Sequence, residues 1–162
     1  MSESWVINAS PVILLAKVGL IENVPSLADS FVIPEPVVTE ILSVHDDAAA
    51  HWLTSAGKKF VQPSVPELAA LSNFDIGLGE RSVLSWAKAH SGFTVVLDDR
   101  EARVAAHQLG LKVLGTVGVV IRLKRAGLIS EMKPHLIEIR RVGGYISDEL
   151  LREVLQSAGE QP

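Results

Sequence analysis

Short apolar segments that alternate with helix-like segments are the feature that most constrains the fold of this chain. Residues 94–97 show no alternation of polar and apolar side chains, as expected of a strand that is buried on both faces. Further strands are predicted at residues 5–7, 31–33, 59–62 and 112–114. Strands that alternate with helices at short spacing form mainly parallel sheets covered on both faces. The sequence therefore predicts a three-layer α/β/α sandwich with a mainly parallel sheet of about five strands.

Capping residues and prolines give the expected helix starts. Ser10 is placed to cap the first helix, with Pro11 at its favoured first position. Later starts are predicted at Glu67, Glu80, Thr116 and Ser147.

Size and composition favour one cytoplasmic domain. The chain has 162 residues, 48% of them hydrophobic, and no cysteine, which excludes disulfides and thiolate metal sites. No secretory signal is visible at the N-terminus, and no apolar run reaches the roughly 18 residues of a spanning helix. We expect a single domain over residues 1–162, with residues 128–162 as a helical C-terminal extension, and no membrane association.

Charge is divided unevenly along the chain, although the net charge is −4. Residues 1–99 hold five Lys and Arg against twelve Asp and Glu, whereas residues 100–141 hold nine against three. A basic block beside an acidic one suits a protein that binds nucleic acid, while two solvated helix faces of opposite charge are the plain alternative.

Oxygen-bearing side chains follow the predicted strands. Ligands gather outside the carboxyl ends of strands in an open parallel sheet. Asn8 follows the first strand, Asp98 and Asp99 follow the fourth, and Glu40 and Glu80 lie early in helices that can reach the same edge. Clustered carboxylates repel one another unless a cation or protons compensate them, and an oxygen-only site suits Mg²⁺ or Mn²⁺. The sequence therefore predicts a divalent metal site.

Each of these five residues also has a purely local interpretation. Asp99 is well placed to cap the helix that begins at Arg100. Glu80 would be stabilised by the dipole of its helix without any further role. Asn8 and Asp98 are ordinary turn residues at strand ends, and Glu40 could be a solvated helix residue.

Six short motifs extend over nearly the whole chain, at residues 7–11, 32–40, 77–80, 97–103, 114–118 and 144–149. In this order and spacing they make the chain similar to the PIN-domain family of metal-dependent ribonucleases, which includes the VapC-type toxins of toxin–antitoxin pairs. The chain resembles most closely a prokaryotic PIN-like subfamily with a C-terminal helical extension.

The resemblance implies roles for particular residues. The four acidic positions of the family fall on Asn8, Glu40, Glu80 and Asp99, and Asp98 is a second contributor or the alternative for the fourth. Asn8 stands where the family has an aspartate, which removes one negative charge from the implied metal site. Ser10 corresponds to a Ser or Thr near the family's active site.

The resemblance also implies partners. They are an RNA substrate, an antitoxin-like protein, and a second copy of the chain in a homodimer or higher homo-oligomer. The first helix could supply an interface through Val12, Leu15 and Val18, but burial of these side chains in the core is equally compatible with the sequence.

Arg100 and Arg103 lie close in sequence to Asp98 and Asp99, at the edge of the sheet where the acidic residues are predicted. They are hypothetical phosphate contacts, because affinity for nucleic acid comes from neutralising the charge of its phosphate backbone. Ion pairs with nearby acids are the alternative for both arginines. With one tyrosine and four phenylalanines, no aromatic platform for stacking bases is evident.

Two other functions fit parts of the sequence. A binding module that kept the fold and lost turnover is suggested by Asn8. A phospho-acceptor receiver domain also uses paired aspartates beside a parallel sheet, but here the pair follows the fourth predicted strand and not the first, which counts against it.

Overall fold

A computed structural model describes residues 3–162, in which five strands form one parallel sheet. The strands are β1 (Ser4–Ile7), β2 (Ser30–Pro34), β3 (Val61–Gln62), β4 (Phe93–Val96) and β5 (Val113–Leu114). Their spatial order is β3-β2-β1-β4-β5, and every neighbouring pair is parallel. The predicted parallel sheet is thereby confirmed.

Eight α-helices accompany the strands within this part of the chain. They are α1 (Ala9–Lys17), α2 (Glu35–Ser43), α3 (Asp47–Thr54), α4 (Leu78–Ala89), α5 (Arg100–Gln108), α6 (Thr116–Arg125), α7 (Lys133–Arg141) and α8 (Asp148–Ser157). The strands β2 and β3 are added on one side of β1, and β4 and β5 are added on its other side. Right-handed crossovers in opposite directions place helices on both faces, which makes the predicted α/β sandwich. None of the helices in residues 3–162 has the length and apolar character needed to cross a bilayer.

Several predicted helix starts were wrong by one or two residues. The N-cap of α1 is Asn8 and not Ser10, so Pro11 is the third helical residue. The helix α4 starts at Leu78 and not at Glu80, and Thr116 is the first residue of α6 and not its cap. The helix predicted from Glu67 is absent there, and a 3-10 helix spans Ala69–Asn73. For α8 the sequence allowed Ser147 or Asp148 as the cap, and the observed cap is Ser147, whose side chain accepts a hydrogen bond from the Leu150 N–H.

Strand register brings the ends of β1 and β4 to the same edge. Ile7 pairs with Val96, and the next residue, Asn8, donates its backbone N–H to the Val96 carbonyl at 2.9 Å. This reversal of strand order between β1 and β4 is the place where parallel α/β sheets bind ligands. The fold thus positions Asn8 beside the segment that carries Asp98 and Asp99.

The core is centred on β1 and the first helix. Trp5 and Ile7 are fully buried, as are Val12 and Leu15 of α1, whereas Val18 is partly buried. Full burial of Val12 and Leu15 stabilises the domain by about 1.5–3 kcal/mol per side chain. These two side chains are therefore core residues and are not available as an exposed interface.

The Glu160 carboxylate, which follows α8, hydrogen-bonds to the start of α7. Glu160 is 11% exposed at its side chain and accepts hydrogen bonds from the Met132 N–H at 2.9 Å and the Lys133 N–H at 3.0 Å. The Lys124 ammonium also lies 3.0 Å from this carboxylate. Glu160 thus satisfies backbone N–H groups at the start of α7 that have no partner within that helix.

Glu160→Ala is expected to lower the free energy of unfolding at neutral pH by about 1–3 kcal/mol, because it leaves buried N–H groups unpaired. Burial alone would raise the pKa of Glu160, but hydrogen bonds from Met132, Lys133 and Lys124 bring it below its ordinary value. The carboxylate therefore stabilises the fold above the pKa it has when unfolded, and this contribution is lost as pH falls through the folded pKa. Urea unfolding at several pH values measures both effects.

Glu153→Ala is the matched control, since Glu153 lies exposed on α8. Equal destabilisation by the two substitutions would contradict a specific role for Glu160.

Candidate functional site

A buried asparagine lies at the carboxyl end of β1. Asn8 is 2% exposed and occupies the N-cap position of α1, yet its side chain makes no capping hydrogen bond. Its Oδ1 atom has no hydrogen-bond partner among residues 3–162. A buried acceptor left unpaired costs about 1–3 kcal/mol, so this oxygen is a strong candidate for binding a cation or water.

Glycine at position 79 lets two helices bring oxygen atoms together. Gly79 is the second residue of α4, and a Cβ atom built on it would collide with Oε2 of Glu40 on α2. The same Cβ would lie 3.1 Å from Asn8 Oδ1. The Glu40 carboxylate and the Asn8 amide therefore face the same small space, and only glycine leaves that space free.

Glu80 adds negative charge to this space. Partial burial raises the pKa of Glu40, and the charge of Glu80 raises it further. Gly77, the N-cap of α4, also lies close to Glu80, because a Cβ on Gly77 would be 2.8 Å from Glu80 Oε2. Repulsion between Glu40 and Glu80 makes a cation at this position favourable.

The side chains of Asp98 and Asp99 accept hydrogen bonds from the first turns of two helices, α6 and α5. Asp99 is the N-cap of α5, and its Oδ2 accepts a hydrogen bond from the Ala102 N–H at 2.9 Å. Asp98 accepts from the Thr116 N–H at 2.8 Å through Oδ1 and from the Thr116 hydroxyl at 2.5 Å through Oδ2. The local capping interpretation of Asp99 is thus confirmed, while a catalytic role for either aspartate stays a prediction.

An arginine organises the loop that leads into α4. The Arg81 guanidinium donates to the carbonyl oxygens of Leu71, Phe74 and Ile76 at 3.2, 2.9 and 3.0 Å. It also pairs with Glu67 at 2.7 Å. The planar group of arginine, with its five donors, can satisfy several acceptors at once, which lysine cannot do in the same geometry. Arg81 thereby fixes the approach to the residues around Gly79.

The remaining predicted residues lie around this edge. Ser10 is exposed on the first turn of α1, and its predicted role near the active site stays a prediction. Arg100 is exposed and Arg103 is half-buried on α5. Within residues 3–162 neither arginine forms an ion pair, in contrast to Arg122, which pairs with Glu3. Arg100 and Arg103 are therefore available to an anion.

The donor atoms around Gly79 fit a hard divalent cation. The unpaired Oδ1 of Asn8 and the carboxylates of Glu40 and Glu80 are all oxygen ligands, which suit Mg²⁺ or Mn²⁺. No group of three or more His, Asp or Glu side chains in the described range is arranged to hold a metal. The structure thus brings Asn8, Glu40 and Glu80 into one neighbourhood and does not gather Asp98 and Asp99 with them into one cluster of ligands.

Two features of this region were not identified from sequence. Gly79 was noted only within the motif of residues 77–80, although a glycine can also mark a place where another element approaches the backbone closely. The role of Arg81 could not be predicted from sequence, because its hydrogen-bond partners are backbone carbonyls of an irregular segment.

Comparison with known proteins agrees with this geometry. A family model described as a PIN domain matches residues 4–160. A search of curated proteins finds no match. The matched range includes the sheet, the acidic edge and both C-terminal helices, α7 and α8. The chain therefore belongs to the PIN-domain family and has a nuclease-type fold.

Proposed function

We propose that this protein is a metal-dependent ribonuclease that hydrolyses phosphodiester bonds of RNA and leaves a 5′-phosphate. The observation that supports the proposal best is the buried, unpaired Oδ1 of Asn8, which shares the space above Gly79 with the carboxylate of Glu40. Membership of the PIN-domain family favours nuclease chemistry over other uses of a parallel sheet.

Asn8, Glu40 and Glu80 would hold Mg²⁺ or Mn²⁺. The family resemblance adds Asp99 as a further ligand, with Asp98 as its alternative, although the structure does not gather either aspartate with the other three residues. Bound there, the cation would supply an activated water and would neutralise charge on the phosphate. Glu40 and Glu80 have to be ionised for this role. Because burial and the charge of Glu80 raise the pKa of Glu40 in the metal-free protein, protons are expected to compete with the cation for this carboxylate, so Mn²⁺ affinity should fall on acidification.

Arg100 and Arg103 would bind the phosphates of the substrate beside this site. Both lie in the first turns of α5, directly after Asp99. Neither is engaged by a carboxylate among residues 3–162. Positive charge next to an acidic metal site lets one protein attract both the polyanion and the cation that acts on it.

Labelled single-stranded RNA incubated with the protein and Mn²⁺ tests the proposal. We expect cleavage that stops with EDTA and falls at least about tenfold in Glu80→Gln and in Asp99→Asn, since each substitution removes one charged ligand. Asp99→Asn is chosen because asparagine caps helices as well as aspartate does, so α5 should stay intact.

Glu101→Gln is the control, because Glu101 is an exposed acid on α5 next to the proposed site. Undiminished cleavage in both Glu80→Gln and Asp99→Asn would show that the activity comes from a contaminant or from another site.

A catalytically weakened module that binds RNA or protein is the second candidate. It is favoured by the neutral side chain of Asn8, and by Asp98 and Asp99 forming the hydrogen bonds of structural caps. An Asn8→Asp variant distinguishes the two candidates.

We further propose that the protein acts as the toxin of a toxin–antitoxin pair and assembles as a homodimer or higher homo-oligomer. These proposals rest on the family alone. Co-expression with the protein encoded by the adjacent gene, followed by measurement of the mass of the complex, tests both.

A further inference from the structure

A groove of about 670 Å³ lies along the β5 edge of the sheet. The helices α5 and α6 form its walls, and α8 with the segment before it closes one side. Apolar side chains such as Val117, Ile121 and Val154 line its interior. Asp98, at the acidic edge, is also one of its lining residues, so the groove opens beside the proposed active site.

Positive charge dominates the rim of this groove. Arg100, Arg103 and His107 lie on one side of α5 and line it. Asp98 is the acidic residue that faces them, and both of its oxygens accept hydrogen bonds from Thr116. Among residues 3–162 neither arginine forms an ion pair, although Arg103 Nη1 and Asp98 Oδ1 lie beside the same point next to Gly115, so two positive charges face one negative charge at this rim. An anionic ligand is the best match for this rim.

An exposed aromatic ring stands at the other side of the groove. Tyr145 is 92% exposed, although its neighbours are packed. A Cβ on Gly144 would lie 2.6 Å from Ile139 Cγ2, and Ile146 is 5% exposed. Close packing on both sides holds the backbone in place and directs Tyr145 outward. The ring of Tyr145 therefore stands in solvent, where its faces are free to stack on a flat ligand.

We propose that this groove binds a single-stranded segment of RNA, with one base stacked on Tyr145 and phosphates contacting Arg100 and Arg103. The proposal rests on the proposed ribonuclease function and names how its substrate is held. An aromatic platform together with a positive track is the combination that binds single strands without reading sequence. The apolar interior suits the faces of bases, and the free arginines favour a polyanion over an apolar protein segment.

Binding of a fluorescein-labelled 12-nucleotide RNA, measured by fluorescence anisotropy in EDTA, tests the proposal without cleavage. Tyr145→Ala is expected to weaken binding about 5- to 100-fold, whereas Tyr145→Phe should bind as the wild type does, since the stacking ring is retained. Arg103→Gln should weaken binding. It should also reduce the slope of log affinity against log salt concentration by about the amount that one phosphate contact contributes.

Arg125→Gln is the matched control, because Arg125 is exposed at the end of α6 and does not line the groove. Wild-type affinity in Tyr145→Ala, or equal losses in Arg103→Gln and Arg125→Gln, would overturn the proposal. A change in the oligomeric mass of Tyr145→Ala with unchanged RNA affinity would also overturn it and would assign the groove to a protein contact.

The two proposals fail in distinguishable ways. If RNA binds through Tyr145 in EDTA but stays intact with Mn²⁺, the groove is supported and the ribonuclease function is contradicted. If the wild type cleaves RNA while Tyr145→Ala binds and cleaves equally well, the ribonuclease stands and the groove is wrong. A wild type that neither binds nor cleaves RNA contradicts both.

Discussion

Gly79→Ala is expected to reduce Mn²⁺-dependent RNA cleavage about 100-fold or more without destabilising the protein. The added methyl group takes the space in which Glu40 Oε2 now lies, and it stands 3.1 Å from Asn8 Oδ1. The Glu40 carboxylate is the end of a flexible side chain and can turn away, so the fold should not need to shift. Alanine is about 0.5–1 kcal/mol more favourable than glycine inside a helix, which supports unchanged or slightly higher stability.

Cleavage rates, Mn²⁺ titrations by calorimetry and urea unfolding together measure this effect. A double-mutant cycle with Glu40→Ala provides the control. If the methyl group acts mainly by displacing Glu40, Gly79→Ala should have little additional effect on Mn²⁺ affinity in the Glu40→Ala background. Full cleavage by Gly79→Ala would show that the space shared by Asn8 and Glu40 is not the metal site.

Asn8→Asp is expected to have opposite effects on the metal-free and the metal-bound protein. Without metal, a third carboxylate, buried beside Glu40 and Glu80, should lower the free energy of unfolding by more than about 1 kcal/mol. With Mn²⁺, the added charge should raise affinity about tenfold or more, and cleavage should rise with it. The destabilisation should shrink as pH falls, because protonation of the carboxylates removes their repulsion.

Thermal unfolding with and without Mn²⁺, at several pH values, separates these effects. Asn23→Asp is the matched control, since it makes the same change at an exposed position at the end of a short 3-10 helix. No change in Mn²⁺ affinity or in cleavage for Asn8→Asp would favour the pure binding module.

The sheet could be predicted from sequence because its strands carry their own signal. Residues 5–7 of β1 and residues 95–96 of β4 are consecutive apolar residues, as expected of strands that are buried on both faces. Helix starts were less predictable, since capping depends on where side chains point. At α1, Ser10 and Asn8 are both good caps by residue type, and the observed N-cap, Asn8, makes no side-chain cap hydrogen bond.

The edge of the sheet that carries the candidate site was predictable, but the arrangement of its residues was not, since Asn8, Glu40 and Glu80 lie together and Asp98 and Asp99 are not gathered with them. Acidic residues at strand ends and helix starts identify the edge, because parallel strands bring their carboxyl ends together. The approach of Glu40 to Gly79 depends on how α2 packs against α4, which is not encoded locally. Tyr145 was overlooked for a similar reason, since an exposed aromatic residue outside regular elements leaves no periodic pattern.

The two aspartates and the two glutamates at the sheet edge contribute differently to the stability of the fold. Asp98 and Asp99 hold the starts of α6 and α5 by hydrogen bonds, whereas Glu40 and Glu80 repel each other. A descendant of this protein without the proposed ribonuclease activity would gain stability by losing Glu40 or Glu80 and would lose stability by changing the aspartates. Among related chains, retention of the two aspartates would therefore indicate only an intact scaffold, while retention of both glutamates would indicate continuing selection for catalysis.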